Sequence, residues 1–191
     1  MPTACRFPKP RLTPQRAALF ALCLSVTNLF HTAASANDAP PAEVKSALPA
    51  AAELGAAKVR WFGLPIYDGR LFTTKAAAFD WQKPFALELT YQRGFSQEQL
   101  LTATNKELIR MEGRLPDQSM IVEKLTQCYR TVAKGDRFVA FGARKDRITF
   151  LFNGQRSCDL DHPDVRKRVM SIWLSDQSRD PALSRKLRGE E

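Results

Sequence analysis

The clearest pattern in the chain is an alternation of apolar and polar residues over residues 85–93, where Phe85, Leu87, Leu89 and Tyr91 share one parity. A period of two is typical of a strand with one buried face. Similar reasoning predicts further strands, with a tight turn at Asn153-Gly154. These strands cover residues 58–62, 64–73, 137–143, 147–152 and 155–160.

Helical spacing of apolar residues appears in four other segments. Ser96, followed three residues later by Gln99, predicts a capping box for a helix that ends at Gly113. A second helix opens at Pro116-Asp117 and carries an apolar stripe as far as Val132. Asp161 is predicted to cap a third helix, and Pro181 to start a short fourth one. Strands in runs, joined by tight turns, indicate an α+β fold with an antiparallel sheet packed by helices.

One stretch does not fit simple alternation. In RWFGLPIYDGRLF (residues 60–72), Trp61 and Tyr67 fall on one parity, whereas Phe62, Leu64 and Ile66 fall on the other. A strand that is apolar on both faces should be covered on both faces. Helices can cover one of them, and a second layer, a chain segment or a ligand is expected to cover the other.

The N-terminal residues resemble a targeting segment rather than part of a fold. A basic start without acids is followed by an apolar run over residues 17–30 and by Ala34-Ser35-Ala36, the pattern of a secretory signal peptide. We predict a signal peptide at 1–36, an Ala/Pro-rich lead at 37–56 and one domain at 57–191. The location is then periplasmic or secreted, with no stable membrane span after cleavage. An uncleaved anchor is the alternative.

Charge argues against nucleic acid as a partner. Removing residues 1–36 takes four basic residues and no acidic ones, so the net charge falls from +9 to +5. The densest basic run, Arg166-Lys167-Arg168, is expected on the solvent face of a helix, and no nucleic-acid-binding motif is recognisable.

Two cysteines remain after the predicted cleavage, Cys128 and Cys158. In an oxidising compartment they could form one disulfide, and the alternative is two buried free thiols. His162 is the single histidine left, and its position at a predicted helix start indicates a surface residue. Without clustered cysteines or further histidines, neither a metal site nor a cofactor is predicted.

A set of aromatic and basic residues around the strands suggests a binding site. Tyr67, Tyr91 and Arg93 can hold an acidic head group, while apolar walls hold its tail. Phe62, Leu64 and Ile66 are the predicted wall. The alternative interpretation is that the tyrosines belong to the core or rim and that the arginine lies on the surface.

Several blocks of the sequence resemble the bacterial secreted chalcone isomerase-like proteins. They occur in the family's order and cover about residues 58–187. The matching residues are Trp61-Phe62-Gly63, Tyr67-Asp68, Leu71-Phe72, Pro84-Phe85-Ala86-Leu87-Glu88-Leu89, Tyr91, Phe95-Ser96, Phe152-Asn153-Gly154, Ile172-Trp173-Leu174 and Pro181-Ala182-Leu183.

The resemblance implies an open-faced β-sandwich with a cleft between a large antiparallel sheet and its helices. Plant chalcone isomerases cyclise a chalcone with the help of an early Arg and of Thr and Tyr residues. The strand Thr falls at Phe62 here, and the early Arg falls in the segment before Gly55, which contains no Arg. Non-catalytic relatives bind fatty acids through Arg and Tyr.

Three hypotheses follow. The first is an exported, non-catalytic protein that binds an apolar or amphiphilic small molecule such as a fatty acid. The second is an intramolecular lyase or isomerase of the chalcone isomerase type, whose catalytic residues remain unassigned. The third is a protein-interaction module of the cell envelope, with an unknown protein partner.

Overall fold

The computed structural model describes residues 39–190. The predicted signal peptide (1–36) and the first two residues of the predicted lead lie outside the described residues. Within them the elements run in the order α1 (Ala42–Ala47), β1 (Ala51–Trp61), β2 (Leu64–Thr74), β3 (Phe85–Tyr91), α2 (Gln97–Glu112), α3 (Gln118–Cys128), β4 (Arg137–Arg144), β5 (Arg147–Phe152), β6 (Gln155–Asp161), α4 (Val165–Leu174) and α5 (Pro181–Leu187).

The six strands form one antiparallel sheet in sequence order, each paired with the next along the chain. One face carries the alternating apolar residues of β2 to β6 and packs against α2–α5, which makes the main core. The other face packs against α1 through Val44 and Leu48, which contact Phe72, Ala86 and Val139. The predicted α+β fold, an open-faced sheet packed by helices, is confirmed.

The first strand begins at Ala51, inside the predicted Ala/Pro-rich lead and seven residues before the predicted start at residue 58. The small residues of this segment explain why the sequence gives little strand signal, and they also explain how closely a helix can approach the strand. A Cβ atom on Gly55 would collide with the Lys186 carbonyl oxygen and would lie 2.7 Å from that of Leu187. Gly55 therefore lets α5 approach the β1 backbone closely.

The second predicted helix is shorter than its apolar stripe. Helix α3 ends at Cys128, and Val132 instead pairs with Phe95, whose backbone N–H donates to the Val132 carbonyl at 3.0 Å. Val132 is nevertheless buried, so the stripe correctly marked core positions beyond the end of the helix.

Three predictions around α4 are wrong. Asp161 belongs to β6, and the residue before α4 is Asp164. His162 is only 7% exposed, with Nε2 3.4 Å from Asp117 Oδ2. Arg166 is buried rather than on the solvent face, and its guanidinium donates to the Gly142 carbonyl at 3.2 Å. Burial of Arg166 is tolerated because carbonyl oxygens replace water around the guanidinium.

The sheet face under α1 holds a buried carboxylate. Glu88 is 2% exposed and lies 3.5 Å from Arg70 Nη1 and 3.6 Å from Arg137 Nε. Arg137 also pairs with Glu43 of α1. Burial raises the pKa of Glu88, and the charges of Arg70 and Arg137 offset that rise only in part.

Among residues 39–190, no helix has both the length and the apolar character needed to cross a membrane. The same part of the chain contains no group of three or more His, Cys, Asp or Glu side chains that could hold a metal ion.

Candidate functional site

Three tyrosines meet between the sheet and its helices, and we call Tyr67, Tyr91 and Tyr129 the tyrosine cluster. Tyr67 of β2 and Tyr91 of β3 are directly paired across the strands, with ring centroids 5.9 Å apart. Tyr129 follows the last residue of α3, and its ring lies 5.9 Å from that of Phe138. Phe138 also contacts Tyr91, at 6.4 Å, so one aromatic layer joins the three phenols.

The three hydroxyl groups differ in their hydrogen bonds. The Trp173 indole N–H donates to the Tyr67 hydroxyl at 3.0 Å, and the hydroxyls of Thr104 and Tyr129 are 3.3 Å apart. No described residue forms a hydrogen bond with the Tyr91 hydroxyl, although the side chain is only 7% exposed. A phenol in apolar surroundings normally finds a partner. The Tyr91 hydroxyl is not one of the fully buried side-chain atoms that lack a partner, so it reaches solvent and offers a free donor and acceptor at the edge of the aromatic layer.

Burial also fixes the protonation state of the cluster. It raises the pKa of Tyr67 to about 12, despite the hydrogen bond from Trp173, and it raises the pKa of Tyr129 to about 12. Burial is also the main cause that raises the pKa of Tyr91. At physiological pH all three phenols are neutral and can donate a hydrogen bond to a carbonyl or carboxylate oxygen.

Glu107 is an acid close enough to Tyr67 to act on its pKa, and its carboxylate is already engaged. Burial alone would raise the pKa of Glu107, but hydrogen bonds from Arg179 and Arg110 lower it. The Arg110 Nε to Glu107 Oε2 distance is 2.8 Å. Glu107 is thus an ionised carboxylate held between two arginines rather than a free base.

Arg93 lies outside the cluster. It is exposed, and its guanidinium carbon sits 5.9 Å from the centroid of the Phe95 ring. Phe95 in turn contacts Tyr91, with centroids 6.1 Å apart. Since Phe95 is only partly buried, the aromatic layer reaches the surface beside Arg93. Partly buried Tyr67 therefore contacts buried Tyr91, and Phe95 links Tyr91 to Arg93 at the rim.

The predicted wall residues do not line this interior. Phe62 is 90% exposed and Leu64 is 54% exposed, because both lie at the turn between β1 and β2. Ile66 is partly buried at the base of that turn. The run of apolar residues on both parities reflects an exposed hairpin end, where strand alternation stops, rather than a strand covered on both faces.

Three polar members of the interior were not predicted: Tyr129, Thr104 and Trp173. Tyr129 lies within the apolar stripe predicted for the second helix and Thr104 within the helix predicted after Ser96, where a hydroxyl gives no separate signal. Trp173 belongs to the Ile172-Trp173-Leu174 block of the resemblance. A buried indole N–H usually donates a hydrogen bond, and this was the signal that could have identified Trp173.

Two surface depressions of about 570 and 340 Å³ lie beside α2. The first is lined by residues on the outer side of α2, including Gln99 and Lys106. The second lies between α2 and α3, and its lining includes Ile109 and Val122. Neither is lined by a residue of the tyrosine cluster or by a predicted binding residue.

The end of α3 is tied to the sheet beside the cluster. Cys128 and Cys158 form a disulfide with Cα atoms 4.9 Å apart, and the Ser157 hydroxyl donates to the Cys128 carbonyl at 2.6 Å. Because Tyr129 directly follows Cys128, this attachment fixes the point from which the Tyr129 ring enters the core.

Comparison with known proteins places the fold. No family model and no curated protein matches the sequence. Among solved structures, the chain is similar to a fatty-acid binding protein of Arabidopsis thaliana, with a TM-score of 0.58 at 8% sequence identity. The match covers 74% of this chain and 88% of the plant protein. A likeness at this identity shows the fold alone, and the fold is chalcone isomerase-like.

Proposed function

We propose that this chain is an exported, non-catalytic binding protein for an amphiphilic small molecule with a carboxyl or carbonyl head and an apolar tail, such as a fatty acid. The observation that carries the proposal is the Tyr91 hydroxyl, a neutral polar group at the solvent-accessible edge of an aromatic layer, with no hydrogen bond to a described residue. A ligand oxygen would complete it.

The surroundings of Tyr91 match both parts of such a ligand. Phe95, Phe138 and the ring of Tyr67 provide apolar contact for a tail. Arg93 at the rim carries a positive charge beside the point where the layer reaches the surface.

Binding is favoured over catalysis by the chemistry of the cluster. General acid–base catalysis works best with a group whose pKa lies near the working pH. The raised pKa values of the three phenols and the lowered pKa of Glu107 lie far from neutrality on either side. The solved plant structure of the same fold is described as a fatty-acid binding protein, which supports the same choice.

Two observations support export as part of the proposal. The sequence of residues 1–36 has the pattern of a secretory signal. The Cys128–Cys158 disulfide is a bond that persists in oxidising compartments.

The test is binding of a fluorescent fatty acid to the purified protein and to two variants that each lose one phenol oxygen. Tyr91→Phe removes the unpaired hydroxyl, whereas Tyr129→Phe, the matched control, removes one already bonded to Thr104. A hydrogen bond contributes about 1 kcal/mol, so Tyr91→Phe should weaken binding about fivefold, and Tyr129→Phe, which removes an oxygen already paired with Thr104, should weaken it less. Absence of saturable binding by the wild-type protein, or equal affinity of Tyr91→Phe and wild type, would overturn the proposal.

The role of Arg93 has its own control. Arg93→Ala should weaken binding of a fatty acid more than that of the corresponding neutral alcohol. Arg114→Ala makes the same chemical change at an exposed position after α2 and should leave both affinities unchanged. Equal losses of fatty-acid affinity in Arg93→Ala and Arg114→Ala would show that net charge causes the effect. Arg93 would then not belong to the site.

A further inference from the structure

The hairpin between β1 and β2 extends beyond the rest of the sheet. Arg60 pairs with Pro65 and Trp61 with Leu64, whereas pairing between β2 and β3 begins only at Tyr67. Residues 60–65 therefore project past the end of β3, and we call them the hairpin tip.

The hairpin tip exposes large apolar side chains. Trp61 is 53% exposed, Phe62 90% and Leu64 54%, and the rings of Trp61 and Phe62 contact each other with centroids 5.1 Å apart. Scattered apolar residues on a surface are ordinary, but a contiguous group at a projecting turn is typical of an interaction site.

The turn itself is made by an unfavourable residue. Phe62 has φ of 47° and Gly63 has φ of 78°, and positive φ at both central positions is the requirement of a type I′ turn. Asn, Asp or Gly suits the first of these positions, whereas a bulky side chain is strained there. Local stability thus does not explain the presence of Phe at position 62, and an intermolecular role does.

Positive charge predominates at the end of the sheet that carries the hairpin tip. The loops after β3 and before β4 lie at the same end of the sheet, where the Gly135 N–H donates to the Tyr91 carbonyl at 2.8 Å. Five basic residues at this end are exposed and form no ion pair with a described residue: Lys58, Arg60, Arg93, Arg130 and Lys134.

Nearby acids offset this charge only in part. Asp68 already accepts a hydrogen bond from Gln92 at 2.8 Å, and Asp136 accepts one from the Ala133 N–H at 2.7 Å. Glu98, in the first turn of α2, is exposed at the same end. The balance at this end of the sheet remains positive.

We propose that the hairpin tip is a docking element for the surface of an anionic phospholipid bilayer. Trp and Phe side chains partition into the interfacial region of a bilayer, and flanking basic residues attract anionic head groups. A projecting apolar turn with five exposed basic residues at the same end of the sheet presents both features together, and this charge is complementary to an anionic bilayer surface.

This docking does not require the ligand of the tyrosine cluster. Phe62 and Tyr91 are separate sites, and the vesicle experiment contains no added fatty acid. Failure of docking would therefore leave the proposed binding function standing, and failure of fatty-acid binding would leave docking standing.

The test is co-sedimentation with vesicles made of equal parts phosphatidylcholine and phosphatidylglycerol, with pure phosphatidylcholine as the neutral reference. The protein begins at residue 37, which keeps the apolar N-terminal segment out of the assay, because the described residues 39–190 belong to one compact unit. Binding to the anionic vesicles should fall as salt rises. The emission of the exposed Trp61 should shift to shorter wavelength on binding.

Phe62→Asn is the decisive variant. It should lower vesicle partitioning by about tenfold, because a Phe side chain buried in an apolar medium contributes more than one factor of ten. It should also raise the melting temperature, because Asn suits the turn. Arg60→Gln should weaken binding by about fivefold at low salt.

Met120→Ala is the matched control, since Met120 is 50% exposed on α3 and lies outside the hairpin tip. Its partitioning should equal that of the wild type. Equal partitioning of Phe62→Asn and Met120→Ala, or no partitioning of the wild type, would overturn the proposal. Concentration-dependent dimerisation that Phe62→Asn abolishes in the absence of vesicles would assign the hairpin tip to a second copy of the chain and would also overturn it.

Discussion

Removing the disulfide should destabilise the fold by a calculable amount without abolishing it. Cys128 and Cys158 are 30 residues apart, and a loop of that size corresponds to about 3.5 kcal/mol in the chain-entropy description of the unfolded state. The variant is the double substitution Cys128→Ala with Cys158→Ala. Cys128 is 1% exposed, so loss of its sulfur also removes core contacts and adds to the effect.

The native arrangement of α3 should survive, because other contacts hold it. Ile121 and Leu125 of α3 are fully buried in the main core, and the Ser157 hydroxyl still reaches the carbonyl of residue 128. We therefore expect an unchanged circular dichroism spectrum, a lower urea midpoint and a steeper slope, because the unfolded chain without the cross-link exposes more surface.

Urea unfolding of the wild type and the double variant measures the difference directly. Intact mass after alkylation, without reductant, establishes the state of the wild-type sulfurs. Alkylation of both cysteines in wild-type protein denatured without reductant would refute the reasoning. Equal free energies of unfolding for the two proteins would refute it as well.

Two further predictions concern the sheet. Burial raises the pKa of Glu88 above its ordinary value of 4.5, so the folded state binds that proton more tightly than the unfolded chain. The Glu88 contribution to stability is present below pH 4.5 and is lost as the pH rises through the pKa of Glu88 in the folded state. The difference in unfolding free energy between the wild type and Glu88→Gln should therefore fall as the pH rises across that window. A difference that stays constant with pH would contradict this. Gly55→Ala should reduce the unfolding free energy by about 1–3 kcal/mol, because the added methyl group meets the α5 backbone, and a midpoint unchanged from wild type would disprove that contact.

Much of the fold could be predicted because local signals and tertiary contacts agree. The capping box at Ser96 and Gln99 is present with both of its hydrogen bonds, and the Asn153-Gly154 turn joins β5 to β6. The start of β1 was missed because alanines carry little strand signal. Its position is set by α5, whose close approach needs Gly55 and cannot be inferred from local sequence.

The candidate site was predictable only where strand periodicity applies. Tyr67 and Tyr91 share a face because each lies on the core parity of its strand, and the structure pairs them. Phe62 and Leu64 were misplaced because the same parity rule does not extend through a turn with positive φ. Thr104 and Trp173 reach the cluster from helices, and no sequence period reports which hydroxyl or indole will meet a strand residue.

The central claim is that an amphiphilic molecule binds at the tyrosine cluster, and native mass spectrometry tests it most directly. The protein should be purified without detergent, then measured before and after addition of a fatty acid, beside Tyr91→Phe. The account predicts a one-to-one adduct that organic extraction releases and that is weaker in the variant. An unliganded mass at every fatty-acid concentration, under conditions that preserve the fold, would contradict it.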